Sequence, residues 1–189
     1  MCNIAIFASG SGSNAENLAK HFLPNPKVKI TLTASENPNA FVLQRAKRLG
    51  IPTYSFTMNE LRNGIVLSKL IEQKIDFIAL AGFLKMVPVD MVRHFNNRIV
   101  NIHPALLPKY GGKGMYGDRV HKAVIAAGET ESGITIHHVN EHYDEGDIIF
   151  QASCPVLPND TPETLAQRVH ELEWLYYPKV IETLLEKLG

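Results

Sequence analysis

The chain has 189 residues, 45% of them hydrophobic, which suits one globular domain with its own core. Basic and acidic residues number 19 each, so the formal net charge is zero, and a nucleic-acid partner, which usually demands a basic surplus, is not expected. No apolar run approaches the roughly 20 residues of a membrane span, and neither cysteine belongs to a CxxC pair, so we expect a reduced cytoplasmic protein without membrane attachment.

The first hundred residues alternate short apolar runs with amphipathic segments. Strands are predicted over residues 3–9, 27–35, 53–56, 76–81 and 98–102. Helices are predicted after the first three strands: one carrying Ala15, Leu18, Ala19 and Phe22 on a single face, one over 40–49, and one ending near Gln73. This alternation is typical of a doubly wound, mostly parallel sheet.

The pattern changes after residue 130. Ile134–Val139 and Ile148–Val156 read as an antiparallel hairpin joined by a polar loop, and Thr161-Pro162-Glu163 has the signature of a helix start. There is no internal repeat, linker or low-complexity segment. We therefore predict a single α/β domain over residues 1–189, with the hairpin following the parallel sheet.

A glycine-rich loop, Gly10-Ser11-Gly12-Ser13-Asn14-Ala15, follows the first strand and opens a helix. Backbone N–H groups at a helix N-terminus form an anion site, so this loop is a candidate phosphate cradle. The same segment satisfies the dinucleotide fingerprint G-x-G-x-x-G/A, and Glu36 stands where a ribose-binding acid would be expected. The loop by itself leaves both interpretations open.

Polar residues end the fifth predicted strand. Asn101 and His103 are two residues apart, so their side chains share one face at the carboxyl end of the sheet, where α/β proteins bind ligands. Asp144 lies in the hairpin loop and is a candidate partner. Leu107–Pro108, which closes a sharp turn beside this strand, is expected to be a cis peptide. His137 and His138 point to opposite faces of a strand, so no metal site is expected there.

Several motifs together resemble the phosphoribosylglycinamide formyltransferase family. The resemblance covers essentially the whole chain, in order and at near-family spacing, and its motifs are residues 9–14, Leu80-Ala81-Gly82-Phe83, residues 101–110, Gly133-Ile134-Thr135-Ile136-His137 and Asp144-Glu145-Gly146. It implies the formyltransferase fold, with a phosphate-binding half over about residues 1–100 and a folate-binding, catalytic half over about 101–189. It further implies 10-formyltetrahydrofolate as donor, glycinamide ribonucleotide as acceptor, and no metal.

The resemblance also implies roles for individual residues. Asn101, His103 and Asp144 would be the catalytic set. We expect Asn101 and His103 to stabilise the oxyanion of a tetrahedral intermediate, and Asp144 to orient His103 and relay protons. Gly12, Ser13 and Asn14 would hold the substrate phosphate, and Glu173 the ribose hydroxyls. The folate would contact Leu84, Lys85, Met86 and Val87, together with Asn140, Glu141, His142, Tyr143 and Asp144. Supporting positions would be Arg62, Pro104, His121, Thr135 and His137.

The sequence departs from the common family form at several positions. The loop 111–120 is several residues longer, Arg119 stands where many relatives have histidine, and Lys85 stands where many have arginine. Two alternatives remain open, formyltetrahydrofolate hydrolase and a non-catalytic dinucleotide sensor. The hydrolase carries an extra N-terminal domain, which we do not expect here because the first strand begins at Asn3. Methionyl-tRNA formyltransferase fits poorly with zero net charge. A homodimer is left open.

Overall fold

The computed structural model describes residues 1–188, which fall into two compact units, Met1–Asn101 and the residues from Ile102 onward. The first unit contains β1 (Cys2–Phe7), α1 (Ser13–Phe22), β2 (Val28–Ser35), α2 (Phe41–Arg48), β3 (Thr53–Ser55), α3 (Met58–Arg62), α4 (Ile65–Glu72), β4 (Phe77–Leu80), α5 (Val89–His94) and most of β5 (Ile99–His103). The second contains the end of β5, α6 (Asp118–Ala126), β6 (Glu131–His138), β7 (Ile148–Pro155) and α7 (Pro162–Leu188).

In the first unit the strands follow the order β3-β2-β1-β4-β5. The strands of this unit pair in parallel, with β1 between β2 and β4, and Leu80 of β4 lies opposite Asn101 of β5. In the second unit β6 and β7 form the antiparallel hairpin. The predicted α/β fold class, a mostly parallel sheet followed by an antiparallel hairpin, is confirmed.

The first unit buries the apolar strands that the sequence predicts. All four residues of β4 are buried, as expected for a strand covered on both faces. Helix α1 buries Ala15, Leu18, Ala19 and Phe22, which is the face predicted from their spacing. Rings of Phe7, Phe56 and Phe83 pack together with centroids 5.4–6.2 Å apart, and the Phe7–Phe83 pair is edge-to-face.

Three predictions about helices were wrong or incomplete. The helix predicted to run to Gln73 is two helices, because Gly64 adopts a positive φ of 76° between α3 and α4. The short helix α5 was not predicted. The segment 111–120, taken as a loop, already contains the first turn of α6 from Asp118 onward, whose N-terminal side is marked by Gly117.

The last helix begins at Pro162, and the Thr161 hydroxyl accepts from the Thr164 amide, as the predicted helix start requires. Its buried stripe runs through Leu165, Val169, Glu173, Tyr177 and Ile181, in steps of four. The spacing of Leu165, Val169, Leu172 and Tyr176 in the sequence predicts an apolar stripe with Glu173 at its edge, and that register is wrong. The carboxylate lies in the middle of the buried face.

No helix within residues 1–188 combines the length and the apolar character that crossing a membrane requires. The two cysteines, Cys2 and Cys154, are free thiols. Burial is the largest cause of the raised pKa of each thiol. The Leu107–Pro108 peptide is cis, as predicted.

Candidate active site

The imidazole of His103 lies at the end of β5 and is 4% exposed. Its Nε2 atom is 2.8 Å from the backbone oxygen of Tyr110. Because a carbonyl oxygen can only accept, Nε2 carries the hydrogen of this bond. In the neutral ring Nδ1 is then the unprotonated nitrogen, available to take up a proton.

The carboxylate of Asp144 sits between two imidazoles. Its Oδ2 atom is 3.6 Å from His103 Nδ1, its Oδ1 atom is 3.6 Å from His137 Nε2, and Oδ2 also accepts from the Gly112 amide at 2.9 Å. Asp144 has a positive φ of 57°, a conformation that aspartate tolerates better than most residues. The β6–β7 register shifts between Ile136 and His137, and such a bulge re-aims a side chain.

The protonation states of this cluster follow from its burial and charges. Burial by itself would raise the pKa of Asp144, but the contact with His137, the charge of His103 and the Gly112 amide together lower it below its usual value. Burial also lowers the pKa of His103, although Asp144 and the Tyr110 carbonyl oppose that effect. An ionised Asp144 therefore faces a neutral His103 near neutral pH, and the pair can accept one proton at Nδ1.

Hydrogen bonds from the side chains of the hairpin to the backbone hold the turn that follows β5. The Thr135 hydroxyl of β6 accepts from the Leu107 amide at 2.9 Å and donates to the Ala105 oxygen at 2.7 Å. Gln151 of β7 donates to the Leu107 oxygen at 3.0 Å. Thr135 is completely buried, and its contacts are those of a residue that fixes the backbone beside Pro104. Gln151 was not predicted, because its role is visible only from the β6–β7 register.

A second buried cluster surrounds Glu173. His170 Nδ1 lies 2.7 Å from the Glu173 carboxylate, and this bond raises the pKa of His170. The His170 ring stacks on Trp174. His121 on α6 is 2% exposed, and its Nδ1 atom has no hydrogen-bond partner among the described residues. Burial and the nearby His170 lower the pKa of His121. His170 was missed, although its spacing of three residues from Glu173 could have indicated the pair.

The glycine loop of the first unit has the backbone of an anion cradle. Gly12 precedes α1 with a positive φ of 76°, and a Cβ atom there would lie 2.4 Å from a Val42 side-chain atom and 2.7 Å from its Cα. Arg45 braces the loop by donating from Nε to the Ser11 oxygen at 2.9 Å and by pairing with Glu16. The first amides of a helix, here those following Gly12, have no intrahelical acceptor and can serve an anion.

Glu36, the candidate ribose acid of the dinucleotide alternative, is engaged by its own unit. Ser9 Oγ donates to its carboxylate at 3.0 Å, and Lys85 Nζ lies 3.9 Å away. Ser9 Oγ in turn accepts from the Leu84 amide at 2.9 Å, which anchors the start of the predicted folate segment. These contacts give Glu36 a structural role.

The two predicted folate segments differ in exposure. In the first, Leu84, Lys85 and Met86 are at least 40% exposed, whereas Val87 is buried. In the hairpin loop the Asn140 side chain accepts from the His142 amide at 2.9 Å, while Glu141 and His142 are exposed and Tyr143 is half-buried. Arg62 is exposed at the end of α3, and within residues 1–188 no hydrogen bond or ion pair ties it to the glycine loop.

A protein-family model for formyl transferases matches residues 2–181. The chain is 43% identical over 193 residues to a chloroplastic phosphoribosylglycinamide formyltransferase of Vigna unguiculata, covering 97% of this chain and 61% of that protein. An Arabidopsis thaliana relative of the same name is covered to 65%, so the chain spans less than two thirds of these two relatives. A Bacillus subtilis phosphoribosylglycinamide formyltransferase is 35% identical, with 98% of this chain and 95% of that protein covered.

Solved structures agree with the sequence relatives. Phosphoribosylglycinamide formyltransferase from Anaplasma phagocytophilum superposes with a TM-score of 0.89 at 35% identity, covering 98% of this chain and 88% of that one. The enzyme of that name from Bacillus halodurans gives 0.88 at 34%, covering 99% and 97%. The resemblance predicted from the motifs is thus confirmed, and the chain belongs to the formyl transferase family.

Proposed function

We propose that this protein transfers the formyl group of 10-formyltetrahydrofolate to the amine of glycinamide ribonucleotide, in de novo purine biosynthesis. The observation that carries the proposal is the buried His103–Asp144 pair, in a chain that belongs to the formyl transferase family. Support for the acceptor comes from relatives named phosphoribosylglycinamide formyltransferase, one of which the chain covers almost completely. The free cysteines and zero net charge fit a cytoplasmic enzyme of small molecules.

Binding of the acceptor is assigned to two groups of residues. The backbone of Gly12, Ser13 and Asn14 at the start of α1 takes the phosphate, since α1 opens with glycine in the left-handed conformation. Glu173, a buried carboxylate hydrogen-bonded to His170, accepts from the ribose hydroxyls. Holding the acceptor at sites remote from the reacting amine converts binding energy into orientation.

Binding of the folate is assigned to Leu84, Lys85, Met86 and Val87, and to the loop Asn140–Asp144. Exposed Leu84 and Met86 offer apolar surface to a planar ring. His121, with a buried and unpartnered Nδ1 atom, is a supporting polar group beside Glu173. His137 supports the reaction through its contact with Asp144.

The reaction joins the acceptor amine to the formyl carbon and passes through a tetrahedral intermediate. The bond from that carbon to the folate nitrogen then breaks, while one proton leaves the amine and one reaches the folate nitrogen. Asn101 donates from its amide to the developing oxyanion, a contribution worth roughly 10²–10³ in rate. His103 takes the amine proton at Nδ1, and the ionised Asp144 stabilises the resulting imidazolium.

An assay with two arms tests the proposal. Purified protein is given 10-formyltetrahydrofolate with and without glycinamide ribonucleotide, and tetrahydrofolate release and formylated product are both measured. We expect turnover only when the amine is present, with one product formed per folate released. Equal folate release without the amine would identify a hydrolase. Thermal stabilisation by NAD, but by neither substrate, would identify a dinucleotide sensor.

A further inference from the structure

The tautomer of His103 depends on the backbone carbonyl of Tyr110, a residue whose side chain contacts groups outside the His103–Asp144 pair. Tyr110 provides the carbonyl that accepts from Nε2, yet its φ of 58° is unusual for a residue other than glycine. A conformation of this kind persists only when surrounding contacts determine it. The contacts of the Tyr110 side chain are therefore as important as its carbonyl.

Those contacts converge on one carboxylate oxygen. Glu129 Oε1 accepts from the Tyr110 hydroxyl at 2.9 Å and from the Lys109 ammonium group at 2.9 Å. The Glu129 amide bonds to the Val124 oxygen of α6 at 3.3 Å, so the carboxylate is anchored to the end of that helix. Hydrogen bonds from Lys109 and Tyr110 lower the pKa of Glu129, which keeps it ionised.

We propose that Glu129 is a positioning residue for the reaction. Its hydrogen bonds with Lys109 and Tyr110 keep the Tyr110 carbonyl bonded to His103 Nε2. His103 Nδ1 is then left unprotonated and can accept the proton. This inference rests on the proposed function for its catalytic consequence. When the hydrogen bonds to Glu129 are lost, Tyr110 relaxes toward a more common backbone conformation, and its carbonyl turns away from the His103 imidazole. His103 then samples the tautomer protonated at Nδ1, which cannot take the amine proton.

The same turn also reaches the other member of the pair. Gly112, two residues after Tyr110, donates its amide to Asp144 Oδ2. Gly111 between them is closely packed, since a Cβ atom there would lie 2.6 Å from a Leu107 methyl carbon and 3.3 Å from Asp144 Cβ. A displacement of Tyr110 is thus transmitted to Asp144 through the closely packed Gly111 and the hydrogen-bonded amide of Gly112.

The test compares Glu129→Ala and Tyr110→Phe with a matched control, Glu72→Ala. Glu72 forms a surface ion pair with Lys69 at 2.8 Å on α4. Glu72→Ala therefore removes a glutamate–lysine ion pair, as Glu129→Ala does, but one without contact to His103 or Tyr110. Surface ion pairs contribute little to stability, so all three variants should fold, and thermal unfolding checks this. Long-range ¹H–¹⁵N spectra of the histidine side chains report the His103 tautomer, with its resonances identified by His103→Gln.

We expect wild type and Glu72→Ala to show His103 protonated at Nε2 only, and the two test variants to show both tautomers. We expect kcat to fall by about tenfold in the test variants with both KM values unchanged, less than the roughly hundredfold that a misplacement of about 1 Å can cause. An unchanged tautomer in both test variants overturns the proposal, whatever happens to kcat. If the wild type transfers no formyl group, the proposed function fails, and the spectra still decide the positioning role.

Discussion

His103 Nδ1 faces Asp144 Oδ2 at 3.6 Å, and backbone groups of one turn form hydrogen bonds with both residues. Tyr110 accepts from His103 Nε2, and Gly112 donates to Asp144 Oδ2. In the proposed reaction the proton therefore moves from the substrate amine to His103 Nδ1, and Asp144 stabilises the resulting charge. If the two side chains act in this way, we expect each to contribute to the reaction only while the other is present.

Substitution of both members should therefore give a strongly non-additive result. We expect His103→Ala and Asp144→Asn each to lower kcat by roughly 10²–10⁴, the range of general acid–base catalysis. The double variant should be little slower than the worse single variant, because residues that act as one unit lose their contribution once. Steady-state kinetics on the four proteins measures this, and fully additive losses would show that the residues act independently.

The pH dependence of the reaction should follow the neutral form of His103. Burial lowers the pKa of His103 below 6.5, so the ring is neutral at pH 7 and kcat should fall only as the pH drops below 6.5 and through that lowered value. Asp144 raises the pKa of His103, so Asp144→Asn should move the acid limb to lower pH as well as lowering the plateau. A limb that moves to higher pH in this variant would contradict the assignment of His103 as the base.

The polar centre of the site could be predicted from the sequence, but the contacts that Tyr110 and Gln151 make with it could not. Asn101 and His103 stand out because they are polar residues at the end of an apolar strand, whereas the role of Asp144 is implied by the family resemblance. The Tyr110 carbonyl is a backbone group with a positive φ, and no side-chain pattern indicates it. Gln151 becomes visible only once the hairpin register is known.

The helices show where local patterns mislead. The six residues of α5 are too few to display a period of 3.6, and α6 begins after a segment with four glycines that reads as a loop. In α7 the alternative stripe through Leu172 and Tyr176 is more apolar than the real one, which contains Glu173. That carboxylate can be buried because His170 and its other contacts satisfy its hydrogen-bonding groups. Such contacts form only in the folded protein, so the local sequence pattern does not show them.

The His170–Glu173 pair should make stability depend on pH in a predictable direction. The pKa of His170 is raised above 6.5 in the folded protein, so its contribution is fully present below 6.5 and is lost as the pH rises through the raised value. We expect His170→Gln to lower Tm more at pH 6 than at pH 9. His94→Gln, at an exposed histidine of α5, is the control. A Tm difference that grows toward pH 9 would show that the pair does not stabilise the fold.

Comparison of two glycines with similar backbone conformations distinguishes the effect of backbone strain from the effect of steric crowding at the predicted phosphate loop. Gly12 and Gly50 have φ values of 76° and 72°, but only Gly12 would place a Cβ against Val42, while Gly50 has nothing within 4 Å. Gly50→Ala should therefore lower the free energy of unfolding by roughly 1–2 kcal/mol, because alanine is strained in the left-handed conformation. The KM for the ribonucleotide should be unchanged. Gly12→Ala should cost more and raise that KM by at least about tenfold, because the loop must move away from α2 and its amides lose their aim at the phosphate. Denaturant unfolding and substrate titration measure both effects, and equal KM values in the two variants would remove the glycine loop from the phosphate site.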